Sequence, residues 1–148
     1  MVSGGSRGLG LRLSRFLLEC DHTIASFARK RTSEVEELQT ELGDRLCFRE
    51  FDACDQCMLS EFVETVVSEF GHIDGLVNNA AVGQDHLLVH LAPETIGQLI
   101  AVNLQAPIQL TRLVVKQMLL QNSGGRIVNI SSICASRGFK GVSVYSAT

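Results

Sequence analysis

The 148-residue chain has no apolar run long enough to cross a bilayer. Stretches such as Leu113-Val114-Val115 and Leu17-Leu18 fall far short of the roughly 20 apolar residues that a spanning helix needs. No basic segment followed by an apolar one opens the chain, so a soluble, non-secreted protein without a membrane span is expected. Proline is scarce, with 2 residues, and charged residues make up 20%, a composition of globular rather than disordered or fibrous chains. Lysine and arginine form no concentrated face, and the net charge is −3, which removes the electrostatic ground for nucleic-acid binding. A disulfide framework is also missing: the 5 cysteines are odd in number and irregularly spaced, which suits a reducing compartment, the cytoplasm. Cys54 and Cys57 form a C-x-x-C without a second pair or suitably spaced histidines. His86 and His90 lie four apart but lack the glutamate of H-E-x-x-H, so no metal site is expected. No repeat, low-complexity tract or linker divides the chain, and its length fits one domain over residues 1–148.

What is present is an alternation of helical and strand-like apolar patterns separated by Gly, Asp and Asn. Leu11, Leu13, Phe16, Leu17 and Leu18 predict a helix over Gly10 to Glu19, and Thr23 to Ala28 reads as a buried strand. Ser33-Glu34-Val35-Glu36 reads as a capping box opening a helix that runs to Leu42 and is closed by Gly43. Leu46 to Phe51 is a third strand, and Phe62, Val63, Val66, Val67 and Phe70 give the next helix its core face. Gly75 to Asn78 is a short strand. Pro93 suits the first turn of a helix, and Pro107 marks a break before a second helical run from Ile108 to Leu120. Gly124-Gly125 ends that run, and Arg126 to Ile130 is a strand. This order predicts an α/β fold: a doubly wound parallel sheet with helices on both faces and ligands at the carboxyl ends of its strands.

Directly after Met1-Val2 comes SGGSRGLG, leading from a strand into a helix. Glycines there permit a tight turn and let backbone amides approach a phosphate, which the helix N-terminus attracts. At the end of the second strand an NAD-selective protein would carry a carboxylate for the ribose 2′-hydroxyl. This chain has Ala28, Arg29 and Lys30. Arg29 is suited to pair with a 2′-phosphate and Arg7 to approach it from the glycine loop, which makes NADP the expected cofactor. The plainer alternative is a solvated basic turn at Arg29, Lys30 and Arg31.

Taken together the chain resembles the short-chain dehydrogenase/reductases, in particular the classical members similar to 3-oxoacyl-acyl-carrier-protein reductase. The resemblance rests on SGGSRGLG at Ser3 to Gly10, FDACD at Phe51 to Asp55, LVNNAA at Leu76 to Ala81, AVNL at Ala101 to Leu104, and NISS with VYSAT near the end. It implies a Rossmann-type sheet in which Gly4, Gly5, Ser6, Arg7, Gly8, Leu9 and Gly10 surround the pyrophosphate and adenosine ribose. Asp52 and Ala53 would flank the adenine, and Asn79, Ala80 and Ala81 would border the cofactor ribose. The family usually has glycine where Ala81 stands. Asn103, Ser132 and Tyr145 match its catalytic positions. Carbonyl reduction needs a hydride on carbon and a proton on oxygen. Tyr145 is the expected acid, helped by a lysine one turn later because a free phenol has a pKa of about 10. Ser132 would orient the carbonyl, and the Asn103 side chain would hold a water in a proton relay. The plain alternatives are a strand-end cap for Ser132, a polar residue at a helix bend for Asn103, and a packed surface for Tyr145.

The lysine would follow Thr148, and only Met1 and Val2 precede the glycine loop, so truncation at both ends is expected. The resemblance implies an NADPH-dependent reductase of a small or acyl-carrier-bound keto substrate, homo-oligomeric (dimer or tetramer) in its full-length form through the helices from Pro93 to Leu120. The 148-residue chain itself is expected to be inactive. The rival reading is a truncated isoform that binds nucleotide, or subunits of the full enzyme, without catalysis.

Overall fold

The alternating pattern folds, in a computed structural model describing residues 1–148, into a five-stranded parallel sheet of order β3-β2-β1-β4-β5. The strands are β1 (Val2–Ser3), β2 (Ile24–Ala28), β3 (Leu46–Glu50), β4 (Gly75–Asn78) and β5 (Arg126–Asn129). The helices are α1 (Gly8–Glu19), α2 (Ser33–Leu42), α3 (Gln56–Phe70), α4 (Pro93–Ile100), α5 (Ala106–Gln121) and α6 (Ser143–Ala147). Although β1 has only two residues, it is the central strand, pairing Val2 with Ser26 on one side and Val77 on the other. The Met1 amine donates to the Gly75 carbonyl at 2.7 Å, and the Val77 amide donates to the Met1 carbonyl at 2.9 Å, which extends the pairing backwards.

The pleat sends successive side chains of one strand to opposite faces, and the core divides accordingly. Ile24 of β2 with Leu46 and Phe48 of β3 packs against Leu18 of α1 and Val35 and Leu38 of α2. Ala25, Phe27 and Cys47 point the other way, toward Leu59, Phe62 and Val63 of α3 and Leu110 and Val114 of α5. On that face Phe27 and Phe51 stack with ring centroids 4.3 Å apart, and Phe62 meets each at 5.5 Å. Burying such a side chain stabilises the fold by about 1.5–3 kcal/mol. The same burial pushes the Cys47 thiol up to about 11. The outer strand β5 is covered on neither face to this degree, with Ile127 38% and Val128 48% exposed.

Three boundaries differ from the sequence reading. The expected capping box at Ser33 does not form, because Ser33 is already helical and Thr32 is the extended N-cap residue. The Thr32 hydroxyl instead donates to the Ser6 carbonyl at 2.8 Å, tying the second crossover to the glycine loop. Pro107 produces no break either. Ala101–Gln105 forms a π-helical turn in which the Ala106 amide reaches back to the Ala101 carbonyl, so α4 and α5 run on as one helix with an extra residue inserted. Proline at the start of α5 is tolerated because it is asked for no amide there. Finally, α5 ends at Gln121 through Asn122 in a left-handed conformation (φ 54°) rather than through Gly124-Gly125, a role asparagine can fill.

Asp55 caps α3, accepting from the Cys57 and Met58 amides at 3.0 Å each. Asp55→Ala should therefore lower stability by about 0.5–2 kcal/mol in urea unfolding, with Asp55→Asn retaining most of it. A loss indistinguishable between the two substitutions would remove the cap as the cause.

Candidate functional site

At the carboxyl ends of β1, β2 and β4, around the point where the strand order reverses, lies an open cavity of about 750 Å³. Its shape follows from backbone constraints. Gly4 has φ +73° and sits so close to Ala80 that a Cβ would meet the Ala80 backbone at 2.9 Å. The Gly4 and Gly5 amides both donate to the Phe27 carbonyl, at 2.9 and 3.2 Å, which bends the loop over the end of β2. Gly10 is buried where a Cβ would overlap the Gly4 carbonyl oxygen and the Asn79 amide nitrogen.

Asn79 holds this arrangement from the opposite strand. Its Nδ2 donates to the Ser3 carbonyl at 3.0 Å and the Gly4 carbonyl at 3.2 Å. The Ser3 hydroxyl oxygen accepts from the Asn79 and Ala80 amides at 3.0 Å each. The N-terminus of α1 thereby faces the cavity, a favourable environment for an anion.

Of the thirteen residues expected to bind cofactor, Gly4, Ser6, Arg7, Gly8, Arg29, Asp52, Ala53, Asn79, Ala80 and Ala81 line this cavity. Gly5 and Gly10 lie behind the loop, and Leu9 is turned to solvent with 56% of its surface exposed. Asp52 accepts from the Cys54 amide at 2.9 Å, fixing the turn after β3. Arg7, Arg29 and Lys30 reach the cavity without an ion-pair partner. Arg31 is different: its guanidinium donates to the Phe48 carbonyl at 3.1 Å and lies over the Phe48 ring, and its amide donates to Glu50. The basic run thus divides into two residues on the cavity and one bound to the sheet. Thr32 and Val102 also line the cavity and were not singled out from sequence; the hydroxyl before a helical run was the one signal available for Thr32. The five cysteines are free thiols, and burial, with Asp52 next, raises the Cys54 thiol above its ordinary range.

Ala80 and Ala81 also belong to the wall of a second cavity, of about 210 Å³, which gathers Asn103, Ser132 and Tyr145 from three different elements. Asn103 lies in the π turn and is tightly held. Its Oδ1 accepts from the Val82 amide at 2.8 Å, and its Nδ2 donates to the Val82 carbonyl at 2.9 Å and the Thr148 hydroxyl at 3.1 Å. Both of its amide hydrogens are therefore spent on the protein. Ser132 caps the short turn Ile133–Ala135, its oxygen accepting from the Cys134 amide at 3.2 Å, which leaves its own hydrogen for another acceptor. Tyr145, on α6, is half-buried and lines the same cavity.

Asn78 and Asn129 complete the wall and were not distinguished in the sequence, although both stand at strand ends where polar residues interrupt an apolar run. Asn78 is 7% exposed and donates to the Thr111 hydroxyl at 2.9 Å and to Asn129 Oδ1 at 2.8 Å, joining β4, β5 and α5.

Comparison with known proteins agrees with this geometry. The family model described as short chain dehydrogenase matches residues 1–148. Carbonyl reductase family member 4 from Xenopus tropicalis is 35% identical over 150 residues, covering 99% of this chain and 61% of that protein. The chain thus spans about three fifths of this relative's length. Among solved structures, 3-oxoacyl-[acyl-carrier protein] reductase from Brucella melitensis in complex with NAD is 31% identical, with TM-score 0.88 over 99% of this chain and 60% of that one. ElxO with NADP bound has TM-score 0.88 at 26% identity, over 99% of this chain and 60% of that one.

Gly10→Ala should displace the glycine loop, lowering affinity for a dinucleotide by at least about tenfold. Gly8→Ala, at a position with open space but φ +57°, should cost stability by about 1 kcal/mol and leave the loop in place. Equal nucleotide affinities for the two variants, measured by fluorescence titration, would contradict this account.

Proposed function

Because the chain belongs to the short-chain dehydrogenase family, we propose that it forms the dinucleotide-binding domain and catalytic face of an NADPH-dependent carbonyl reductase. The observation carrying this reading is the pair of adjoining cavities: the glycine loop with Arg7 and Arg29 walls one, Asn103, Ser132 and Tyr145 wall the other, and Ala80-Ala81 is common to both. A ligand extended across Ala80-Ala81 would have its phosphates at the N-terminus of α1 and its far ring beside Ser132 and Tyr145. The absence of a carboxylate at Ala28-Arg29-Lys30, with unpaired cations there instead, favours the 2′-phosphate of NADPH over the free hydroxyl of NADH.

NADPH, when bound, supplies the hydride for the carbonyl carbon. The protein's part is the proton and the positioning. Ser132, whose oxygen already accepts from the Cys134 amide, donates its hydrogen to the carbonyl oxygen and holds it in place. Tyr145 gives the phenolic proton to that oxygen as negative charge develops. Asn103 keeps Val82 and Thr148 in register, so that the wall of the first cavity and the approach to Tyr145 move together. A lysine one helical turn after Tyr145 would ease loss of the phenolic proton.

A 3-oxoacyl thioester or another small keto compound suits the site, in keeping with the relatives named above. Exposed Ile100 of α4, Leu104 of the π turn and Ile108 of α5 offer apolar surface for assembly as a homodimer or tetramer. No helix is long and apolar enough to cross a membrane. The free thiols favour a reducing compartment, which we take to be the cytoplasm.

Arg29→Ala should weaken NADPH binding by about 1–3 kcal/mol while leaving NADH nearly unchanged. Equal losses for both nucleotides would refute the choice of NADPH. In a chain lengthened by a lysine-bearing turn after Thr148, Tyr145→Phe should abolish ketone reduction and preserve cofactor affinity, and reduction close to the parent rate would eliminate Tyr145 as the acid.

A further inference from the structure

The two halves of the glycine loop are fastened to the fold unequally. The first half is held from both sides, since the Gly4 and Gly5 amides donate to the Phe27 carbonyl while Asn79 holds the Ser3 and Gly4 carbonyls. Beyond Gly5 those partners end. The Ser6 carbonyl accepts from the Thr32 hydroxyl at 2.8 Å, and this is the one hydrogen bond that joins residues 4–8 to residues 28–33. Arg7 comes next, as the extended N-cap residue of α1, and its side chain makes no cap bond.

The turn after β2 is moored just as economically. The Arg31 amide donates to the Glu50 carboxylate and the Arg31 guanidinium to the Phe48 carbonyl, so Arg31 ties the turn to β3 while Thr32 ties it to the glycine loop. Arg29 and Lys30 lie between β2 and these moorings, and with Arg7 they reach the larger cavity as cations without an ion-pair partner. Thr32 and Ser6 line the same cavity. Thr32 is the N-cap residue of α2, yet its side chain caps no amide of that helix. A threonine hydroxyl has one hydrogen to donate, and here it crosses to the loop.

We infer that Thr32 is a positioning residue for recognition of a ribose 2′-phosphate: by tying Ser6 to the start of α2 it sets the separation between Arg7 on the loop and Arg29 with Lys30 on the turn. A phosphate gains most from cations that meet it at hydrogen-bonding distance, and the attraction falls as they draw apart. A pyrophosphate at the N-terminus of α1 depends instead on the part of the loop that Phe27 and Asn79 hold without Thr32. The inference rests on the NADPH reading above, and it assigns part of the discrimination between nucleotides to a side chain that carries no charge.

The test is fluorescence titration of the parent chain, Thr32→Val, Thr32→Ala and Thr32→Ser with NADPH and with NADH, alongside urea unfolding of each. Thr32→Val and Thr32→Ala are expected to lower NADPH affinity by about three- to tenfold, as for one lost hydrogen bond, and NADH affinity by less than about twofold. Thr32→Ser keeps the hydroxyl and should restore the parent ratio. Two apolar replacements are included so that misfolding of one leaves the comparison intact. Competition by adenosine 2′,5′-bisphosphate should weaken as NADPH does, and competition by adenosine 5′-monophosphate should hold as NADH does. Parallel losses for both nucleotides with a lowered urea midpoint would mark a merely structural role and overturn the assignment. So would a parent that prefers NADPH beside variants that keep its ratio, an outcome that leaves the NADPH reading in place. A parent that binds the two nucleotides equally would overturn both.

Discussion

The site depends above all on the hydrogen bonds that cross from the end of β1 to the end of β4. Ser3 and Asn79 exchange both backbone and side-chain contacts, and Asn79 reaches on to the Gly4 carbonyl. The carbonyls and amides of a turning loop need partners once they leave the sheet ladder, and here the neighbouring strand supplies them. With the loop pinned on that side and by Phe27 on the other, the N-terminus of α1 has one available direction, toward the cavity. Replacing the Asn79 side chain would free two carbonyls at once, while the Gly4 carbonyl would still exclude a Cβ at Gly10.

A second fixed point extends the same logic to the other cavity. A π turn places one extra residue between α4 and α5, and Asn103 within it meets the Val82 backbone in both directions. Such turns cost regular helical pairing and persist where a side chain repays them. Asn103 does so by linking the helix to the segment leaving β4, and through Thr148 to α6. Ser132 and Tyr145 thus come from different elements, and they face one cavity behind which Asn78, Asn129 and Asn103 join the strands and helices. Polar side chains do the positioning here because the cavity end of a parallel sheet is where ladder pairing stops and unpaired backbone groups accumulate.

Much of this was legible in the residues themselves. The apolar runs at Thr23 to Ala28 and Leu46 to Phe51 became β2 and β3 almost to the residue, since strand segments covered on both faces admit few charged side chains. The spacing of SGGSRGLG announced a strand, a turn and a helix because only glycine fits at Gly4 and Gly10. Ser33-Glu34-Val35-Glu36 misled by one residue, because the choice between two adjacent hydroxyls was made by the Ser6 carbonyl, a partner 26 positions away from Thr32. Pro107 misled for a related reason. A proline forbids an amide, but whether the helix breaks or inserts a π turn depends on whether something stabilises the turn, and Asn103 with Val82 does.

The sequence by itself determined the element order, the parallel sheet and the kinds of groups available, because these follow from local periodicity and from what glycine and proline permit. The tertiary structure alone decided which of those groups meet. It divided Arg29 and Lys30 from Arg31, spent the amide hydrogens of Asn103, and turned Leu9 away from the cavity that Arg7 and Gly8 enter. Each of these outcomes rests on a contact between residues far apart in the chain, whose energy appears only when the backbone has closed around it.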